Sequence, residues 1–599
     1  MVRAASLRLQ RTVGHLIEQR DDHQQVSSYT STVRWNGWGF GDTSMVVNAD
    51  GILEVTGDRY PFSGTILPHF RSWAETSIGL DIECESFSQD RSELVLPPPI
   101  RNSEFITAVE SRCVMLTFHD DERLLHSHGH TCQDIWSLRY GGFERYVDVV
   151  IYPGSHRDVE EIIQAAREHN VVIIPYGGGT TVSAGLECPK DEKRMIASVD
   201  LHEMNRIRWI DRKNMTALIE AGAIGREIEE KLNQQGLTMG HEPDSSEFST
   251  LGGWISTRAS GMMKNKYGNI EDIVIQITLV TPTGLFKRRS LGPRVSIGPD
   301  LNEFVLGSEG TLGIITEAVV KVHVLPEITK FGSVIFPEFE LGVRFLHEVA
   351  RRRCAPVSVR LVDNQQFQFG QALKPPTLSN SQYVVDKLKK WYVTKALRFD
   401  PARMVVATLK FIGNAKEIAR QESEVFAVAK EYSGRSAGEE NGKRGYFLTF
   451  MIAYIRDFAF DYNFMAESFE TAVPWSHCLS LCRKVKEQIS ISCEKHSVHG
   501  RPFVSCRVTQ TYDAGACVYF YFGFLFNGLP NPIEVFSQIE HEARVCILEN
   551  HGSLSHHHGV GKHRKSFMEH SVSATGVIML KAVKQALDPT NIFANGNLI

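Results

Sequence analysis

The chain has 599 residues and 11 cysteines but no Cys-x-x-Cys pair, and its two nearest cysteines, Cys478 and Cys482, stand one helical turn apart. An odd, scattered set gives neither a disulfide framework nor zinc-ligand spacing, so the thiols read as reduced packing groups. The longest apolar run near a motif, Val518–Phe526, is far below the roughly 20 residues of a membrane-spanning helix. The chain is therefore not expected to cross a bilayer, while peripheral contact stays open. An excess of positive charge is also missing. With 65 Lys and Arg against 70 Asp and Glu, the net charge of -5 gives no reason to expect a nucleic-acid partner, so an anionic ligand must be held by local basic groups. Internal repeats and low-complexity tracts are absent.

What is present is enough chain for two or three domains. Residues 1–140 read as an N-terminal targeting segment followed by a helical or irregular region, with an aromatic-glycine cluster "RWNGWGFGD" at Arg34 and a loop "LVLPPPI" at Leu94, and no catalytic signature. From Tyr146 the pattern sharpens. "VDVVIY" (Val147–Tyr152) reads as a buried strand and Ser155 with Asp158 as a capping box. A helix with Val159, Ile162, Ile163 and Ala166 on one face follows, then a strand at Val171–Ile174, which together predict a βαβ unit. Further strands are expected at Ile196–Leu201, Ala217–Gly222 and Ile273–Val280, with Ile224, Ile228 and Leu232 marking a helix face. The expected division is 141–325, 326–570 with longer helices and a mixed sheet, and 571–599 packing back on the earlier domain.

Directly after the Ile174 strand comes "PYGGGTTVSAG". Adjacent glycines let successive N–H groups point inward as an anion-binding nest, and Thr180, Thr181 and Ser183 add hydroxyls. It is not a P-loop, because no Lys-Ser/Thr follows, nor a G-x-G-x-x-G helix opening. Two more glycine- and hydroxyl-rich segments follow beside predicted strands, Gly240–Val274 and Gly307–Val322. Three such segments suit a long ligand with a pyrophosphate, a polyol chain and a flat ring.

In this order and spacing the segments resemble the FAD domain of the vanillyl-alcohol oxidase (PCMH) type. Within that type the chain resembles the alkyldihydroxyacetonephosphate synthase family through "RWNGWG" at 34, "HEPDSSEFSTLGGWISTRASGM" at 241, "GSEGTLG" at 307, "RLVDN" at 360, "NGKRGY" at 441, "AYIRD" at 453, "ESFETAVPW" at 467, "CRVTQTYDAGACVYFYF" at 506, "SLSHHHGVGK" at 553 and "DPTNIF" at 588. The resemblance implies an α+β fold, two α/β subdomains clasping an extended FAD beneath an α+β cap. The FAD positions it implies are Pro175, Tyr176, Gly177, Gly178, Gly179, Thr180 and Thr181, then Asp244, Ser245, Ser246, Glu247, Phe248, Ser249 and Thr250. Thr257, Arg258, Ala259 and Ser260 follow, then Glu309, Gly310, Thr311, Leu312, Gly313, Ile314 and Ile315, with His241 and Ser308 flanking the loops. The first loop has no histidine for a covalent flavin link, so non-covalent FAD is expected.

The family's reaction replaces the acyl chain of 1-acyl-dihydroxyacetone phosphate with a long-chain fatty alcohol, forming the ether bond of ether lipids. A proton leaves C1, the substrate becomes bonded to flavin N5, carboxylate departs, the alcohol adds, and FAD is restored with no net redox change. By the resemblance Tyr519 is the acid/base, Arg456 contacts substrate, Arg360 is needed for activity, and His556, His557 and His558 are catalytic, with Lys562 adding local positive charge for substrate. In an alternating strand Tyr519 and Tyr521 face one way and Val518, Phe520 and Phe522 the other. The ordinary alternatives are packing for Tyr519 and ion pairs of Arg456 with Asp457 and of Arg360 with Asp363. The resemblance also implies a homodimer. Arg8-Leu9 with His15-Leu16 resembles the amino-terminal peroxisomal signal R-L-x5-H-L, read by an import receptor, in a stretch from Met1 to Ile17 that has no acidic residue and that composition alone would equally read as a mitochondrial presequence.

Three other functions compete: a 2-hydroxy-acid dehydrogenase of the same fold, a metal-binding protein using the histidines, and a silent flavoprotein scaffold. No metal is expected, because consecutive residues diverge on a strand or a helix and three adjacent histidines rarely meet at one ion. On a strand His556 and His558 would share a face, and His557 would not. Imidazoles near their ordinary pKa would pass protons or, when charged, hold phosphate.

Overall fold

The computed structural model describes residues 24–60, 62–376, 388 and 391–599, so the Arg8–Leu16 signal lies outside the described residues. A four-stranded sheet has the order Met115–Thr117, Val149–Tyr152, Ile196–Asp200, Val172–Tyr176, with the last three parallel. The crossover is the helix His156–Glu168, whose Val159, Ile162, Ile163 and Ala166 are buried. Its capping is one-sided. The Asp158 N–H donates to Ser155 Oγ at 3.2 Å, but the Asp158 carboxylate accepts the Gly154 N–H in place of the Ser155 one.

A second, antiparallel sheet has the order Gly284–Lys287, Val274–Thr281, Ile314–Lys321, Thr216–Glu220, Ile207–Asp211. It shares one apolar core with the first sheet. Ile224 does not start the next helix but caps Gly225–Asn233, pairing by an isolated bridge with Thr250. That bridge brings the second glycine-rich segment to the sheet end.

The third sheet has seven antiparallel strands in the order Arg435–Ser436, Ile328–Phe336, Val405–Gly413, Ser358–Val362, Phe503–Thr511, Gly515–Leu525, Phe464–Pro474. Helices Phe339–Arg351, Ala415–Glu431, Trp475–Lys495 and Pro532–Glu549 cover one face. The Gly515–Leu525 strand follows its period of two. Val518, Phe520, Phe522 and Phe524 enter that core, and Cys517, Tyr519 and Tyr521 face the other way.

Upstream, Met45–Val47, Leu53–Val55 and Ile66–Leu67 form a small sheet leading into the helix Phe70–Ile78, which packs with the long helix Glu439–Asp461. At the far end the helix Met568–Leu587, kinked at Ser573, leads to Ile592 and Phe593, which enter the core of the first two sheets. There the Ile173 N–H donates to the Ile592 carbonyl at 2.8 Å. All eleven cysteines are free thiols. Among the described residues no helix is long and apolar enough to cross a membrane.

Candidate active site

A cavity of about 420 Å³ runs between the first two sheets and the seven-stranded one. One wall is built from loops. Gly177, Gly178 and Gly179 leave the end of the Val172–Tyr176 strand, and a Cβ on Gly178 would lie 1.9 Å from the Phe248 carbonyl oxygen. Glycine is required there because the two loops touch backbone to backbone. The Thr250 hydroxyl caps the helix Leu251–Thr257, so its N-terminal amides also stand at this wall.

The opposite wall is built from side chains. Tyr519 pairs across the sheet with Glu470 on one neighbouring strand and with Arg507 on the other, so the three share a face. The Tyr519 hydroxyl is 2.5 Å from His557 Nε2 and 3.2 Å from His558 Nε2. His556 turns elsewhere, with Nε2 2.6 Å from the Tyr512 hydroxyl and Nδ1 2.7 Å from His557 Nδ1. The histidines lie in a turn, not on a strand, and the expected pairing of His556 with His558 is replaced by His557 with His558. The cause is Glu470. Its buried carboxylate accepts the N–H groups of His556, of His557 at 3.4 Å and of His558 at 2.8 Å, together with the Ser555 hydroxyl at 2.6 Å. Three successive amides curl around one anion as a nest.

A second buried carboxylate holds the other half of the motif. Glu309 accepts the N–H groups of Val560 at 2.6 Å and Gly561 at 2.7 Å. Gly561 has φ +53°, and a Cβ there would lie 1.9 Å from the Ser183 carbonyl oxygen, so the histidine turn is pressed onto the first glycine loop.

Burial pushes His556 and His557 down to about 3 and His558 to about 4; the neighbouring imidazoles add to this for His556 and His557, and Arg564 and Arg544 for His558. They are neutral bases, so the expectation of imidazoles near their ordinary pKa does not hold. Burial raises the Tyr519 phenol well above its usual value. Burial alone would raise Glu470 too, but the Arg564 charge and the N–H groups it accepts hold it well below the carboxylate range.

Arg360 is buried and donates to Thr449 Oγ1 at 2.5 Å, with Asp244 3.9 Å away; it does not pair with Asp363, which binds Lys486. Arg456 does pair with Asp457, at 2.8 Å and 3.0 Å, and donates to the His130 carbonyl at 2.7 Å while lining the cavity. Lys562 is turned off the wall, donating to the Ala184 carbonyl at 3.0 Å and Asn597 Oδ1 at 3.1 Å.

Most of the expected cofactor positions line the cavity, including Pro175, Thr181, Asp244, Ser249, Ser260, Ser308 and Ile315. Seven are engaged by the protein's own groups. His241 stacks edge-on against Trp254, Phe248 packs on Phe40, and Leu312 is core. Arg258 pairs with Glu303 at the surface, Thr311 donates to the Ser308 carbonyl, and Ser246 receives the Arg226 amide on its own carbonyl. Glu309 lines the cavity, but its carboxylate is spent on the histidine turn.

Other residues on the walls escaped the sequence reading. Arg507 was readable in principle, since the turn at Tyr512–Gly515 predicts a hairpin that sets Arg507 against Tyr519. Phe70, Trp73, Ile78 and Leu80, from a region without a signature, line the apolar end with Phe369, Ile452, Ile455, Phe464 and Phe503. Their signal is only an amphipathic helix at Phe70–Ile78.

Among the described residues, Cys517, His556 and His557 place ligand atoms within 4.8 Å of one another, a group that takes two of the three adjacent histidines. Both ring nitrogens of each histidine are already in hydrogen bonds to each other and to Tyr512 or Tyr519.

An extended flavin nucleotide fits this donor set. It meets a glycine cradle with no room for Cβ atoms, a helix N-terminus, and buried wall atoms without a protein partner at His130 Nδ1 and Thr509 Oγ1. Residues 147–289 match the family model described as FAD binding domain, and 325–598 match FAD linked oxidases, C-terminal domain. Fold and site thus define a flavoprotein of the vanillyl-alcohol oxidase type with FAD as its cofactor. The chain is 45% identical over 582 residues to an alkyldihydroxyacetonephosphate synthase of Caenorhabditis elegans, covering 97% of this chain and 98% of that relative. A solved alkyldihydroxyacetonephosphate synthase superposes with a TM-score of 0.83 at 28% identity, covering 95% of this chain and 99% of that one. A mitochondrial D-lactate dehydrogenase (cytochrome) of Arabidopsis thaliana is 24% identical over 76% of this chain and 73% of its own length. The chain belongs to the alkyldihydroxyacetonephosphate synthase family.

Proposed function

We propose that the protein exchanges the acyl chain of 1-acyl-dihydroxyacetone phosphate for a long-chain fatty alcohol, making the ether bond of ether lipids. The observation that carries this reading is the Tyr519 hydroxyl, bonded to His557 and His558 where the glycine cradle meets the apolar end of the cavity. Bound FAD, held without a covalent link by the loops at 175–181, 244–250, 257–260 and 308–315, supplies electrons to the reacting carbon and takes them back, so the exchange leaves no net oxidation.

The rest falls to the chain's own groups. The buried Tyr519 stays a phenol at neutral pH and donates its proton. It accepts one at the same oxygen as its own proton moves to His557 Nε2, so one group serves for removal at C1 and for return. Neutral imidazoles suit this relay. Arg360 brings a permanent charge to the wall for the phosphate and the departing carboxylate. Arg456, fixed by Asp457, adds charge from the side of His130, and Lys562 braces the histidine turn from behind. Phe70, Trp73, Phe369 and Phe503 give both long chains, used in turn, one apolar channel that excludes water.

The test is incubation of the FAD-loaded protein with palmitoyl-dihydroxyacetone phosphate and labelled hexadecanol. Labelled alkyl ether is expected; its absence with FAD bound sinks the reading, and anaerobic bleaching of the flavin by D-lactate would favour the dehydrogenase instead. Location in the peroxisome belongs to the same proposal, supported by the R-L-x5-H-L pattern at Arg8–Leu16, and a reporter fused to that stretch should enter peroxisomes only while Arg8 and His15 are intact. A homodimer and peripheral contact with the membrane that stores the long-chain substrates complete it, to be checked by sedimentation and vesicle flotation.

A further inference from the structure

Three guanidinium groups line the cavity, two of them buried, and they are not equally satisfied. Arg456 has a carboxylate and a carbonyl. Arg360 has one neutral hydroxyl within hydrogen-bond distance. Arg507 has no hydrogen-bond acceptor among the described residues; its Nε is buried without a partner, and the rings of Tyr519 and Tyr521 lie 4.8 Å and 5.2 Å from its guanidinium carbon. A buried cation with unmet donors is expensive unless something with acceptor oxygens completes it.

Register brings the two unsatisfied arginines together. Val362 pairs with Arg507, so Arg360, two residues along its strand, is on the same sheet face. Both reach toward one carboxylate, with Asp244 Oδ1 3.9 Å from Arg360 and Oδ2 3.5 Å from Arg507, each beyond a normal hydrogen bond. The Asp244 side chain is 40% exposed, against 6% for Arg360 and 7% for Arg507. Two buried cations thus share one partly solvated anion. Thr509 Oγ1, on the same strand as Arg507, also lines the cavity without a partner.

We propose that Arg360 and Arg507 form the subsite for the phosphate monoester of the substrate, with the loosely held Asp244 carboxylate marking where phosphate oxygens bind. This rests on the function proposed above and adds Arg507 and Asp244 to it. Two guanidinium forks on one side of the anion match the geometry of a tetrahedral dianion better than a single carboxylate does. The phenol of Tyr519, directly across from Arg507, then lies beside the carbon chain that bears the phosphate.

The experiment is isothermal titration of the FAD-loaded protein with dihydroxyacetone phosphate, inorganic phosphate and palmitate. In Arg507→Ala the dissociation constants for the two phosphates should rise by about tenfold or more, with palmitate unchanged and Arg507→Lys in between. Asp244→Asn should tighten inorganic phosphate, a gain that a misfolded protein cannot give. Unchanged phosphate affinity in Arg507→Ala and Asp244→Asn overturns the subsite, and a loss confined to palmitate overturns it in favour of a carboxylate pocket. Phosphate binding that depends on Arg507 in a protein that makes no ether would overturn the function and keep the subsite; ether synthesis with phosphate binding indifferent to Arg507 would do the reverse.

Discussion

The loop wall, from residues 175–181, 244–260 and 308–315, meets the cavity with backbone amides, hydroxyls and glycines, whereas the sheet wall meets it with Tyr519, Arg507, Arg360 and the histidine turn. The first wall recognises an extended cofactor by shape, and a backbone can do that with small residues alone. In the function proposed above the second moves protons and holds charge, which requires long side chains fixed by neighbours. The two are stitched together at a few places: Glu309 of the loop wall grips Val560 and Gly561, and Gly561 rests on Ser183.

If the division of labour is right, each wall fails in its own way. Tyr519→Phe should keep its FAD absorbance and lose turnover by about 10²- to 10⁴-fold, the usual worth of a positioned acid/base; near-normal activity in a product assay removes the tyrosine from its role. Gly178→Ala should do the opposite. Its Cβ meets the Phe248 carbonyl at 1.9 Å, so the loops must part, and purified protein should lose most of its flavin while any enzyme that keeps FAD turns over normally.

Glu470→Gln sharpens the comparison within the sheet wall. Replacing a charged acceptor of three amides should cost on the order of 2 kcal/mol, read as a lower denaturant midpoint, with a fall in kcat larger than any change in KM as the histidines lose register with Tyr519. A variant with wild-type midpoint and kcat would show that the nest is ornamental.

The smallest effect is with pH. Folded imidazoles at about 3 to 4 lie below the ordinary value, so the unfolded chain takes up protons first. Their contribution is fully present above about pH 6.5 and is lost as pH falls through about 4 to 3. The melting temperature should therefore decline through that window, and the decline should be shallower in His557→Asn with His558→Asn. An identical slope in the double variant would assign the acid lability elsewhere.

Legibility divided along the same line as the walls. The Gly177–Gly179 loop, the strand before it and the alternation of Tyr519 with Phe520 are local patterns, set by φ/ψ freedom and by a period of two, so they could be read directly. Glu470 and Phe70 gave no such signal. A glutamate on a strand and a phenylalanine on a short helix are ordinary until the chain brings one beneath the His556–His558 amides and the other to the end of a cavity that Ile452 and Phe503 also line. Lys562 and Arg258 show the opposite case, because a basic residue inside a motif looks functional whichever way its backbone turns it, and these two bond Ala184 with Asn597 and Glu303.

By itself, then, the sequence determined the strand and loop order, the glycine cradle and the alternation that turns Tyr519 away from Phe520, since these depend on residue type and short-range spacing. The tertiary structure alone decided which histidines reach Tyr519, that the imidazoles are neutral, and which arginines lack partners. Those properties depend on burial and on contacts between distant strands, and neither burial nor a cross-sheet distance is written in the order of the residues.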